Sequence, residues 1–202
     1  MMALICTLET GQAWAQQGVQ QGAQSQGEKL TVERMEENGQ KFYEVHAGFF
    51  VPATPQTVWK VLTDYDRFPQ FVPTMPASKV IARNGPEVTV EQDVRGTMFF
   101  FSRKIHLVVR VLEQPYTRID IGLVSGDMKR YEAHWELIQE TQDGIGGTRI
   151  DYRGRMEPDF FLPSLFGRSL IKSDGEKMLD AVVAEIGKNN RPEPPPTAPI
   201  AP

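Results

Sequence analysis

The chain has 202 residues, enough for one domain with tails; 40% are apolar and 24% charged, as in ordinary soluble globular proteins. Its formal charge of −4, with Lys and Arg scattered rather than clustered, argues against nucleic acid and against strong attraction to an anionic membrane. No apolar run reaches roughly 18 residues, so no membrane-spanning helix is expected.

The first residues resemble the end of a secretory signal. Ala3-Leu4-Ile5-Cys6 is apolar, and Ala13-Trp14-Ala15 fits a small-x-small cleavage site before Gln16. No Lys or Arg precedes the apolar stretch, and Glu9 cuts it short. The expectation is a periplasmic or secreted protein, with a cytoplasmic one as the alternative. Cleavage after Ala15 would remove Cys6, the only cysteine, and leave neither a disulfide nor a thiol nucleophile. Residues 16–28 are rich in Gln and Gly and read as a disordered leader, so 1–28 stand apart from the domain. Residues 191–202 are Pro-rich and read as an extended tail. The folded unit expected between them is 29–190.

Residues 30–35 and 42–51 read as strands around the turn Glu37-Asn38-Gly39-Gln40. Tyr43, Val45, Ala47, Phe49 and Val51 share one face of the second; Glu44 and His46 share the other. Pro52 ends that strand. Thr54 is placed to cap a helix with Pro55 at its first position, and Val58, Val61 and Leu62 give that helix its apolar side. Asp66 is placed to cap a second short helix carrying Phe68 and Phe71, which Pro73 and Pro76 keep short.

Strands are then expected over 78–83, 87–95, 98–101 running on to 105–112, 118–124, 129–138 and 148–156, separated mostly by Gly, Pro, Asn and Asp. Alternation is clear in most. Val88, Val90, Gln92 and Val94 oppose Glu87, Thr89, Glu91 and Asp93; Tyr131, Ala133, Trp135 and Leu137 oppose Arg130, Glu132, His134 and Glu136; Ile150, Tyr152 and Met156 oppose Arg149, Asp151 and Arg155. Such strands bury one face of an antiparallel sheet and wet the other. Phe99, Phe100 and Phe101 point to both faces of their strand. An aromatic left exposed there would suit a transient contact with a membrane or a donor protein; a bulge or edge packing site is the alternative.

The last element is an amphipathic helix from about Pro163 to Lys188. Its apolar stripe has a gap: Ser169, Ser173 and Lys177 lie on or beside it, and Gly167 and Gly175 sit inside the helix. Either these are tolerated surface glycines, or they thin the helix where a ligand or loop approaches.

This order of elements, carried by Val51-Pro52-Ala53, Val58-Trp59-Lys60-Val61-Leu62, the run from Asp64 through Arg67-Phe68-Pro69 to Pro73, Ser78-Lys79-Val80 and Trp135-Glu136-Leu137, resembles the START-like (helix-grip) superfamily. Within it the resemblance is to the polyketide cyclase/dehydrase and coenzyme Q-binding branch. The match covers about 41–188. It implies an α+β fold: a curved antiparallel sheet of about seven strands, two short helices after the first core strand, and a long C-terminal helix across the sheet above a tunnel. The strand at 30–35 is extra to that set, and its purpose is not readable from the sequence.

A tunnel of this kind would be walled by Val90, Gln92, Tyr131, Trp135, Tyr152 and Met156 from the sheet. The helices would add Phe68, Phe71, Phe166, Ser169, Leu170 and Ser173. This wall is mostly apolar with a few polar tips, the chemistry of a small-molecule pocket. The alternative is that these side chains fill one another and leave no void. HxxxH, HExxH, CxxC and Gly-x-Ser-x-Gly spacings are absent, and neither a cofactor nor a metal is called for. The expectation is a binder, and by extension a carrier, of a hydrophobic small molecule such as a lipid, isoprenoid or quinone-like compound, rather than an enzyme. An aromatase/cyclase acting in the same tunnel is the alternative. A buried Arg110, a buried His106 or a paired Tyr131–Tyr152 would favour it; His46 and His134 fall on the polar side of their strands.

Overall fold

The computed structural model describes residues 27–98, 101–162 and 166–190. Eight strands form one antiparallel sheet: β1 Gly27–Glu37, β2 Gln40–Val51, β3 Ala77–Asn84, β4 Glu87–Met98, β5 Phe101–Gln114, β6 Arg118–Gly126, β7 Met128–Gln142 and β8 Ile145–Pro158. Their order across the sheet is β1-β2-β8-β7-β6-β5-β4-β3. Between β2 and β3 lie α1 Pro55–Leu62, a 3₁₀ turn Tyr65–Arg67 and α2 Phe68–Phe71; α3, Gly167–Asn189, closes the chain across the sheet. This is the helix-grip arrangement, with β1 as the eighth strand. The signal-like segment, the Pro-rich tail, Phe99, Phe100 and the 163–165 helix start lie outside the described residues.

The turns follow from local chemistry. Asn38 (φ 52°) and Gly39 (φ 77°) both take the left-handed region, as a two-residue hairpin between right-twisted strands requires. Thr54 accepts the Thr57 N–H at 3.2 Å, and Pro55 fills the first helical position of α1, where no N–H is needed.

Asp66 does not cap the second helix. The chain first makes the tighter 3₁₀ turn, and α2 begins at Phe68 with no side-chain cap. Asp66 instead accepts the Val80 N–H at 2.8 Å, occupying one of the donors that β3 would otherwise leave unpaired at the sheet edge.

Alternation sorts the faces as expected. Tyr43, Val45, Ala47, Phe49 and Val51 are buried, whereas His46 is exposed. The core proper joins Val58, Val61 and Leu62 of α1 to Leu179, Val182 and Ile186 of α3 and to Ile150, Leu137 and Val90 of the sheet. Buried Glu185 on α3 accepts from Arg67 at 3.1 Å and from Lys188 at 3.1 Å, tying the 3₁₀ turn to the helix. Burial alone would raise its pKa, but Lys188 and Arg67 outweigh that and hold it below the usual carboxylate range.

Candidate functional site

A cavity of about 180 Å³ lies between the sheet and the first half of α3. Leu170, Ile171, Asp174, Gly175 and Met178 supply its roof. Their spacing repeats every three to four residues, so they form one stripe of the helix. The floor comes from alternating sheet positions, among them Gln92 and Val94 on β4, Ile105 and Leu107 on β5, and Tyr152 and Met156 on β8. Arg95 and Arg103 line the cavity and are exposed. The Arg103 guanidinium lies 4.4 Å from the centre of the Phe160 ring, a cation–π contact at the rim.

Of the residues expected to line a tunnel, Gln92, Tyr131, Tyr152, Met156 and Leu170 come together here. The others do not. Val90 has no exposure at all and packs in the solid core one step along β4 from Gln92. Trp135 stands beside Tyr152 as its cross-strand partner, with the two rings 4.6 Å apart, so it supports a lining side chain without being one. Phe68 meets Tyr65 at 5.7 Å and Phe71 at 5.6 Å, edge to face, because α2 packs beside β3 rather than over the opening. Ser169 and Ser173 are exposed, turned from the stripe that roofs the cavity, and Lys177 is half-exposed in an ion pair with Asp174 at 3.1 Å. Phe166 sits at the helix N-cap and is 43% exposed.

The sequence reading missed Leu30, Val94, Ile105, Leu107 and Gly175 as lining residues. Parity was the available signal for three of them: Val94 continues the run Val88-Val90-Gln92, and Ile105 and Leu107 continue toward Val109 and Val111. Gly167, the first residue of α3, and Gly175 inside it are not surface glycines. A Cβ on Gly167 would run into the Tyr43 hydroxyl, and one on Gly175 would stand 2.9 Å from Leu30 Cδ1. Inside the helix Gly175 costs roughly 1 kcal/mol relative to Ala, which the close approach of β1 offsets.

The polar chemistry inside is sparse. The Tyr131 and Tyr152 hydroxyls hydrogen-bond to each other. Burial pushes both pKa values up, and that of Tyr152 rises further because its phenolate would sit beside Tyr131. Both therefore stay protonated near neutral pH, and the pair presents hydroxyls rather than charge. The Gln92 amide donates to Ser78 Oγ at 3.3 Å.

No histidine lines the cavity. His106 meets Asp93 at 3.1 Å on the outer face, His134 meets Asp120 at 2.6 Å, and His46 is exposed. Arg110 is exposed as well. Lys104 first, with His106 adding to it, holds the Asp93 carboxyl below the usual range, so this cluster is a surface ion network.

A family model described as polyketide cyclase / dehydrase and lipid transport matches residues 51–183, more than half of the chain. Several solved structures share the fold. A STAR-related lipid transfer protein fragment from Xanthomonas axonopodis superposes with a TM-score of 0.62 at 18% identity, covering 80% of this chain and 98% of that one. The Zhui aromatase/cyclase from Streptomyces sp. R1128 gives 0.61 at 14% identity, over 74% and 96%. A START superfamily protein from Mycobacterium smegmatis gives 0.61 at 17% identity, over 72% and 97%. At these identities the likeness is one of fold. No curated protein matches the chain.

Proposed function

The chain belongs to the polyketide cyclase / dehydrase and lipid transport family, and from that premise we propose that it binds, and carries, a compact uncharged hydrophobic molecule in the cavity beneath α3. The observation that supports this reading is the cavity's composition: a mostly apolar wall that carries the tyrosine pair and Gln92, with Arg95, Arg103 and Asp174 as its charged members. Binding would come from removing apolar ligand surface from water, at about 25 cal/mol per Å² before entropy losses. The Tyr131–Tyr152 hydroxyls would orient a ligand oxygen.

The volume constrains the guest. At about 180 Å³ the cavity is near the ~150 Å³ void that takes up benzene and below the ~300–1,000 Å³ of common ligand pockets. A ring system or the end of a chain would be enclosed, and a longer isoprenoid would leave past Arg95 and Arg103.

The same hydroxyl pair favours one second reading, an aromatase/cyclase in which a tyrosine donates a proton to a carbonyl oxygen. Its raised pKa makes it a weaker proton donor, which is why binding comes first. Native mass spectrometry of freshly purified protein separates the cases. A co-purifying apolar adduct supports the carrier. Clean apoprotein, unstabilised by any compound in a lipid, isoprenoid and quinone panel, counts against it. Turnover of a polyketide-like chain abolished by Tyr131→Phe would favour the enzyme. Export is likewise proposed, from Ala13-Trp14-Ala15: a mature chain starting at Gln16 supports it, and an intact Met1 in secretion-competent cells opposes it.

A further inference from the structure

β1 has no counterpart in the span that the family model matches, since that span begins at the last residue of β2. Its pairing with β2 is irregular between Glu28 and Thr31, where three steps along β1 meet two along β2, from Gly48 to His46. An extra residue of this kind bends a strand and re-aims a side chain. Leu30 lies at that bend. It is 3% exposed, lines the cavity, and touches the helix at a residue without a side chain, Gly175. A methyl group there would come within 2.9 Å of Leu30 Cδ1, so strand and helix are fitted to each other at this point. Leu30 faces inward from the edge strand, and its side chain occupies space beside the void.

We propose that Leu30, seated against Gly175, is the stop that sets how long an apolar ligand the cavity accepts. The proposal rests on the hydrophobic-binder reading above and adds to it a size-determining residue outside the family-matched span. The strand bend places Leu30, the missing side chain at 175 lets it reach the helix, and its bulk closes that part of the cavity. Trimming it lengthens the accepted chain, and enlarging it shortens the chain.

The test uses the full chain and 2-alkanones from 2-heptanone to 2-pentadecanone, whose carbonyl oxygen suits a tyrosine hydroxyl, with affinities measured by calorimetry. For the wild type, affinity should rise with chain length and then level off. In Leu30→Ala and Leu30→Val the plateau should move to longer ketones, with about fourfold tighter binding for each methylene newly enclosed. In Leu30→Phe it should move to shorter ones. If Leu30→Ala does not fold, the one-carbon trim and the enlargement carry the test, because loosened structure alone would weaken all lengths together rather than shift the plateau in opposite directions. An unchanged plateau in folded variants overturns the stop and leaves the binder reading standing. A wild type that binds none of the ketones overturns both.

Discussion

The second half of α3 meets the sheet without a gap, whereas the first half spans a void. Leu179, Val182 and Ile186 are buried among Val58, Val61 and Ile150. Leu170, Ile171 and Met178, which precede Leu179 on the same helix, are only partly buried and line the cavity. Both halves carry an apolar stripe. What differs is what stands opposite: α1 packs against the second half, whereas Gly175 lets β1 approach the first. One part of the interface is therefore built for stability and the other for occupancy, and substitutions should divide the same way.

The largest stability loss is expected from Trp135→Ala, which empties a core site and unseats Tyr152. It should cost about 3–5 kcal/mol in denaturant unfolding and weaken ligand binding as well. Ile186→Ala should cost about 2–5 kcal/mol and leave ligand affinity unchanged, while Met178→Ala, facing the void, should do the reverse: a small stability change and altered affinity. Equal behaviour of Ile186 and Met178 would break the division.

The tyrosine pair gives a pH signature. Its folded pKa values lie above the unfolded value near 10, so its stabilisation is complete below that pH. It should fade as pH climbs above about 10, by up to about 1.4 kcal/mol per pH unit for each group. Alkaline melting of the Tyr131→Phe/Tyr152→Phe double variant should be flatter; Tyr65, also raised by burial, keeps part of the slope. Smaller still, Tyr131→Phe alone should weaken an oxygen-bearing ligand about fivefold, near 1 kcal/mol, and leave a pure hydrocarbon of the same size unaffected. Ser169→Ala and Ser173→Ala, on the exposed side of the helix, should change folding and binding by less than about 0.5 kcal/mol.

The sheet was legible because strand parity is a local property. Reading Tyr43 to Val51, Val88 to Val94 or Tyr131 to Leu137 needs only the period of two, and the cap at Thr54 needs only its own neighbours. The cavity was half legible for the same reason: parity puts Gln92, Tyr131, Tyr152 and Met156 on the inner face. It cannot say where along a strand the inner face stops being packed. Val90 and Gln92 share a face, yet Gln92 lines the cavity while Val90 is fully buried in the packed core. Helix phase was harder to read. Ser169 and Ser173 looked like polar tips inside a tunnel, while Asp174 and Gly175 hold the inward positions. Asp66 looked like a cap because Asp often is one; a 3₁₀ turn and the donor at Val80 decided otherwise. The approach of β1 to α3 was invisible to any local pattern, since it is a contact between residues 30 and 175.

Methionine methyl groups offer the most direct view of the central claim, that an apolar guest enters beneath the first half of α3. Met75, Met128, Met156 and Met178 all line the cavity, whereas Met35 lies on β1 facing solvent. In a ¹³C-methyl-methionine NMR titration with 2-undecanone, the four lining methyls should shift and show contacts to the ligand while Met35 stays in place. Resonances that do not move, or a response shared equally by Met35, would contradict the account.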